Sequence, residues 1–244
     1  MNEITSDRAL ALRAVLFDFD GTLVNTTPLI LRCFRATWMQ VFGFECEEAT
    51  YIQTFGIPLE TAMAHITTCL VGECRIAAPA DLVAKAEELT RTYRAFNERW
   101  HDEMIQPFAG VDEMLRELKQ CGLRLGLVTS KKRFGAERGM RLYGMTELFD
   151  VSLCAEDTTN NKPHPEPLLR AMEKLDVHPS QTIYVGDSTH DIVAGRAAGV
   201  TTAAAAWGPF PRATLEALQP DYVLDAPHEL LAIGRLLDTV GGLR

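Results

Sequence analysis

The sequence predicts an α/β fold: a doubly wound, mainly parallel sheet interrupted early by an all-helical insertion. Three observations predict it. Short apolar runs rich in β-branched residues recur along the chain, each ending in polar residues. Helix-length segments separate the later runs. Between the first and second runs, residues 27–103 carry no strand pattern.

The first run is AVLFDFD, residues 14–20. It is followed by 123–130, 150–156, 182–188 and 200–208, with YVL at 222–224 as a sixth strand. Helices are expected at 111–121, 131–143, 164–176 and 189–198. Nearly continuous apolar strands alternating with helices indicate a parallel sheet covered on both faces. Such sheets bind ligands beyond the carboxyl ends of their strands, where this chain collects Asp, Thr, Ser and Glu. Within the insertion, helices are expected at 28–43, 59–71 and 79–103, punctuated by Gly43, Gly56, Pro58, Gly72 and Pro79. The division is then 1–24 with 105–244 as the core and 25–104 as the insertion, with hinges near Leu23–Thr27 and Glu103–Phe108.

Composition excludes several classes. The 244 residues are 47% hydrophobic with a formal net charge of −9. That balance disfavours nucleic acid, which is held through phosphate neutralisation by Lys and Arg. No apolar run is long enough to span a bilayer, and the first residues lack the basic start of a secretory signal. Six cysteines without a C-x-x-C pair read as reduced thiols, so a cytoplasmic location is expected. The sequence gives no oligomeric state.

The chemistry gathers at the strand ends. In DFDGT, an extended backbone sends Asp18 and Asp20 to one side and Phe17 and Phe19 to the other, and Gly21 permits a sharp turn. Paired carboxylates at the end of an apolar strand call for a cation or a proton-transfer role. In GDSTHD, Asp187 follows an apolar strand, which favours a metal role. Asp191 suits both a capping box with Ser188 and the site itself. Thr129 and Ser130 fit either a helix cap or hydroxyl donors to an anion. Lys162 precedes Pro163 at a helix entrance; taken alone it reads as a surface lysine.

Their order is more specific than any one of them. Asp-x-Asp, then Thr/Ser after a strand, then Lys before a helix, then Gly-Asp with a second Asp resembles the four motifs of the haloacid dehalogenase-like (HAD) superfamily. The resemblance covers nearly the whole chain and implies a Rossmann-like core whose helical insertion is a type 1 cap. It further implies a phosphohydrolase with Asp18 as nucleophile and Asp20 as general acid and base. Magnesium would be held by Asp18, the Asp20 backbone carbonyl and Asp187, with Asp191 supporting that shell. Thr129, Ser130, Gly21 and Lys162 would hold the phosphoryl group. Dehalogenase members generally lack the second Asp, which is present here as Asp20. Phosphonate-cleaving members use a cap lysine, and the insertion carries only Lys85, well into its last helix. A sugar-phosphate mutase and a catalytically idle binding module are the weaker readings.

The substrate, a small phosphorylated molecule, would be read by the cap. FGIPLETA, 55–62, fits either a plain helix start or the loop that closes over the core. Around it the sequence resembles the bacterial PpaX-like pyrophosphatases and phosphoglycolate phosphatases; YRAFN…HD in 93–102, Asn25–Thr26 (Asn where many members carry Asp) and AGVTTAAAAWG at 198–208 point to the pyrophosphatase side. Inorganic pyrophosphate is the favoured substrate and 2-phosphoglycolate the second. In YRAFNERWHD, 93–102, Tyr93, Phe96 and Trp100 form an apolar helix face that also carries Asn97 and His101. Asn97 and His101 are expected either to line the cleft or to latch cap to core, with a satisfied buried histidine as the alternative for His101.

Overall fold

The computed structural model describes residues 12–233. The outer ends of the predicted core, 1–11 and 234–244, lie outside the described residues. The chain begins with β1 (Ala14–Phe17) and a two-residue strand, β2 (Val24–Asn25). Helices α1 (Thr27–Phe42), α2 (Glu48–Ile52), α3 (Leu59–Gly72) and α4 (Leu82–Met104) follow. After β3 (Gln106–Pro107) come α5 (Val111–Gln120), β4 (Arg124–Val128), α6 (Arg133–Leu142) and β5 (Val151–Leu153). The remainder is α7 (Glu166–Leu175), β6 (Thr182–Gly186), α8 (Thr189–Ala198), β7 (Thr201–Ala205), α9 (Arg212–Glu216) and β8 (Tyr222–Leu224).

The main sheet has the order β5-β4-β1-β6-β7-β8, and every pair in it is parallel. Chain order reverses between β1 and β6, so the crevice beyond their carboxyl ends is where such a sheet takes a ligand. Alternate strand residues serve opposite faces. Val15, Phe17, Leu125 and Leu127 pack with Met114, Leu115 and Leu118 of α5. Ala14, Leu16 and Tyr184 pack with Leu168 and Met172 of α7 and Ala194 of α8. The core is thus doubly wound, as expected.

Helices α1 to α4 form the inserted helical cap, with α4 packed along both α1 and α3. Its interior is aromatic: Phe34 stacks on Tyr51 at 5.0 Å and meets Tyr93 at 5.1 Å, while Trp38 meets Tyr51 at 5.9 Å. Tyr93 is buried in this seam, whereas Phe96 and Trp100 are only half-buried and stack on each other beside Arg32. The last cap helix begins at Leu82 rather than at 79, because the Asp81 carboxylate caps the N–H groups of Val83 and Ala84. The short helix α2 was not expected, because five residues are too few for a periodic pattern. Both predicted hinges pass through one antiparallel ladder, with Val24 opposite Pro107 and Asn25 opposite Gln106.

Candidate active site

Strand β1 ends by passing Asp18 to the neighbouring strand: its N–H donates to the Val185 carbonyl at 3.0 Å. The side chain is buried. Asp18, Asp187 and Asp191 each bring a carboxylate oxygen within 4.8 Å of the others. Lys162 Nζ stands 2.9 Å from Asp18 Oδ1 and donates to Asp191 Oδ1 at 2.7 Å and Tyr184 Oη at 3.0 Å. The motifs separated by more than 140 residues of sequence meet here because β1 and β6 are neighbours.

Three buried carboxylates against one ammonium leave two negative charges uncompensated when all are ionised. Burial raises the Asp18 carboxyl to about 6; Lys162 pulls it down and Asp191 pushes it up. Burial, then the charges of Asp191 and Asp18, hold Asp187 well above the usual carboxylate range. Asp191 goes the other way, since Lys162 and hydrogen bonds from Ser188 and Tyr184 overcome its burial. The same carboxylates overcome burial at Lys162 and hold its ammonium above the ordinary value.

A divalent cation fits this deficit. The donor set is all oxygen, which suits a hard ion of the magnesium type. Asp191 has both oxygens committed, one to Lys162 and Tyr184 and the other to Ser188. Asp187 uses only Oδ1, which accepts from Thr22 at 2.8 Å. Asp18 Oδ1 has no well-directed hydrogen bond despite its lysine neighbour. Asp18 and Asp187 are therefore the carboxylates with free valence, and the Asp191 capping box with Ser188 is present as well.

Two glycines bring backbone against Asp187. Gly21 has φ of 83°, and a Cβ there would lie 2.4 Å from Asp187 Oδ2. A Cβ on Gly208 would lie 2.4 Å from Asp187 Cβ, and the preceding Trp207 donates its indole N–H to the Thr22 carbonyl. The Gly21 N–H is spent inside its own turn, on the Val24 carbonyl. Its part is close approach to Asp187 rather than a free donor.

Asp18 and Asp20 do face one side, opening into a cavity of about 460 Å³, while Phe17 and Phe19 are buried in the core. Thr129 lines the same cavity and is not a helix cap, because α6 begins only at Arg133 with Lys132 as its cap residue. Thr129 Oγ1 accepts the Lys131 N–H at 3.2 Å, and its hydroxyl proton has no acceptor among the described residues. The Ser130 hydroxyl is engaged differently from the expected anion contact: it donates to the Gly56 carbonyl at 2.7 Å. FGIPLETA therefore touches the core directly. Asn97 and His101 also line the cavity from α4.

Sequence reading missed Lys131, whose Nζ lies 2.8 Å and 3.1 Å from the two Asp20 oxygens. Its only signal was adjacency to Thr129–Ser130 at a strand end. It also missed Tyr184, for which the signal was a phenol inside a buried strand, where the hydroxyl needs a partner.

The chain is similar to known proteins over most of its length. The model of the haloacid dehalogenase-like hydrolases matches residues 15–205. Pyrophosphatase PpaX of Bacillus mycoides (strain KBAB4) is 38% identical over 224 residues, covering 92% of this chain and 97% of the relative. The protein of the same description from Bacillus cereus (strain B4264) is 39% identical over the same share of each chain. A crystal structure from Lactobacillus plantarum, provisionally described as a phosphoglycolate phosphatase, has a TM-score of 0.76 at 29% identity, covering 91% of this chain and 99% of that one. A structure from Haemophilus somnus shares the fold with a TM-score of 0.81 at 24% identity, covering 91% and 97%. This chain belongs to the haloacid dehalogenase-like hydrolase family.

Proposed function

We propose that the protein is a magnesium-dependent phosphohydrolase that works through an aspartyl-phosphate on Asp18, with inorganic pyrophosphate as its favoured substrate. The observation that carries this reading is the buried Asp18 carboxylate, grouped with Lys162 and Asp187 and opening beside Asp20 into a partly enclosed cavity between cap and core. Asp18 and Asp187 would hold the metal with the Asp20 carbonyl, and Asp191 would orient Lys162. When bound, magnesium supplies positive charge that offsets repulsion between an anionic nucleophile and an anionic phosphoryl group.

The chain's own residues do the rest. Asp18 attacks phosphorus; Asp20 protonates the leaving oxygen and then takes a proton from the water that cleaves the acyl phosphate. The Thr129 hydroxyl and Lys162 hold phosphoryl oxygens, with the N–H groups near Ser130 beside them. Residues 25–104 act as the cap that excludes water, moving against the core at the β2–β3 ladder. Six free cysteines support a reducing, cytoplasmic setting.

The pyrophosphate preference rests on the relatives described as pyrophosphatases. The second reading, 2-phosphoglycolate, rests on the solved relative from Lactobacillus plantarum. Phosphate release from a panel of both compounds and other small phosphomonoesters, with and without magnesium, ranks them. Asp18→Asn is expected to abolish all turnover while the fold persists. Release from none of these substrates at millimolar magnesium, or unchanged turnover by Asp18→Asn, overturns the proposal.

A further inference from the structure

Asp18 and Asp20 each face a lysine, and the two lysines are placed differently. Lys162 is buried behind Asp18 and tied to Asp191 and Tyr184. Lys131 lines the cavity, and its side chain keeps 14% exposure beside Asp20. The fold makes room for it. A Cβ on Gly135 would stand 2.9 Å from Lys131 Cε, so α6 offers the lysine stem a bare backbone to lie on. Its Nζ passes 5.5 Å from the centre of the Phe19 ring on the way to Asp20.

His101 lines the same cavity from α4. Its Nδ1 lies 2.7 Å from Asp102 Oδ1, and Arg138 holds that carboxylate at 2.8 Å. Its Nε2 is buried and has no hydrogen-bond partner among the described residues. With its Nδ1–H given to Asp102, the remaining nitrogen is an acceptor.

We infer that Lys131 and His101 form a leaving-group subsite, and that Lys131 selects substrates whose leaving group is itself an anion. The inference rests on the phosphohydrolase reading above. In that reaction a bond forms from an Asp18 oxygen to phosphorus, and the bond from phosphorus to the bridging oxygen breaks. The electron pair stays on the bridging oxygen, which takes the proton of Asp20. Whatever is attached to that oxygen thus departs on the Asp20 side, where Lys131 is the ammonium beside it. An ammonium in a half-buried cavity attracts a carboxylate or phosphate group and gains little from a neutral alkyl chain. The acceptor nitrogen of His101 suits a P–OH or hydroxyl donor on the same leaving group.

The test compares kcat/KM for inorganic pyrophosphate and 2-phosphoglycolate with that for ethyl phosphate and propyl phosphate, whose leaving groups carry no charge of their own. Wild-type protein with magnesium is expected to favour the anionic pair by about 30-fold or more, the size of a charge-assisted contact. Lys131→Met is expected to lower all four rates but to erase most of that preference, and Lys131→Arg to restore part of it. His101→Gln is expected to lower the rate on pyrophosphate more than on 2-phosphoglycolate, whose carboxylate has no proton to donate. A wild-type protein equally active on neutral esters overturns the inference even if every variant misfolds, and so does a Lys131→Met loss that is equal for both classes. Equal losses for His101→Gln remove the histidine from the subsite. Inactivity on all four compounds overturns the phosphohydrolase reading, and the inference falls with it.

Discussion

Asp18 is an acid in a place that resists its charge. Burial lifts its carboxyl from 3.8 to about 6, with Lys162 opposing and Asp191 adding to the shift. A folded-state value above the unfolded one means that the folded protein binds the proton more tightly. The stability from this group is therefore complete below the unfolded value and lost as pH rises through about 6. In chelator, Asp18→Asn is expected to be more stable than wild type at about pH 8, by about 1–3 kcal/mol, with the two converging near pH 4. Urea unfolding of both proteins across that range measures it, and a constant difference removes Asp18 as the cause. At this scale the sequence was informative about charge and poor about company. Asp18 and Asp187 could be named from their strand ends, because an apolar run that stops at a charged residue is conspicuous, whereas Lys162 stands nine residues beyond β5 and was found only by its order among the motifs. Lys131 could not, because nothing in TSKK tells which lysine turns inward.

Among the elements, the loop before α3 is the one whose placement decides whether the cavity is closed. Gly56 has φ of 88°, and a Cβ on it would meet Ser188 Oγ at 2.6 Å and Ser188 Cβ at 3.1 Å. Its carbonyl takes the Ser130 hydroxyl. Gly56→Ala is thus strained in backbone and obstructed in space, both only where cap meets core. It is expected to lower kcat/KM by about 10–100-fold through a misplaced cap, with the larger part in KM and little change in melting temperature. An unaltered kcat/KM shows that this contact is dispensable for turnover. Glu60 supplies a contrast, since it pairs with Arg94 at 2.6 Å and Lys132 at 3.0 Å at the same seam but is half-exposed, as are both partners. Glu60→Gln is expected to change stability by less than about 1 kcal/mol by chemical denaturation, as exposed ion pairs do. Strand positions were legible because the core strands lie in nearly continuous apolar runs. The pairing of β2 with β3 was not, since two-residue strands some eighty positions apart leave no periodic trace.

For the molecule as a whole, the question is whether cap and core melt together. One apolar cluster runs unbroken from Val15, Phe17 and Leu125 under the sheet, through Phe19, Leu23 and Ile105, to Phe34, Trp38 and Tyr51 in the cap. Continuity of that kind makes unfolding cooperative across both parts, although the expected metal site belongs to the core alone. Ligand that binds only the folded protein stabilises it by about 2.7 kcal/mol at a hundred times its dissociation constant. For a chain of this size that corresponds to a rise in melting temperature of about 5–10 °C. Magnesium is therefore expected to shift a single calorimetric transition upward, with the heat of cap and core moving together. Asp187→Asn relieves repulsion among the buried carboxylates, so in chelator it is expected to melt above the wild type; it also removes a metal ligand, so added magnesium should leave it nearly unmoved. Two transitions, only one of them sensitive to magnesium, would show that the shared cluster does not couple the parts. A variant that still responds fully to magnesium would place the ion elsewhere than beside Asp187.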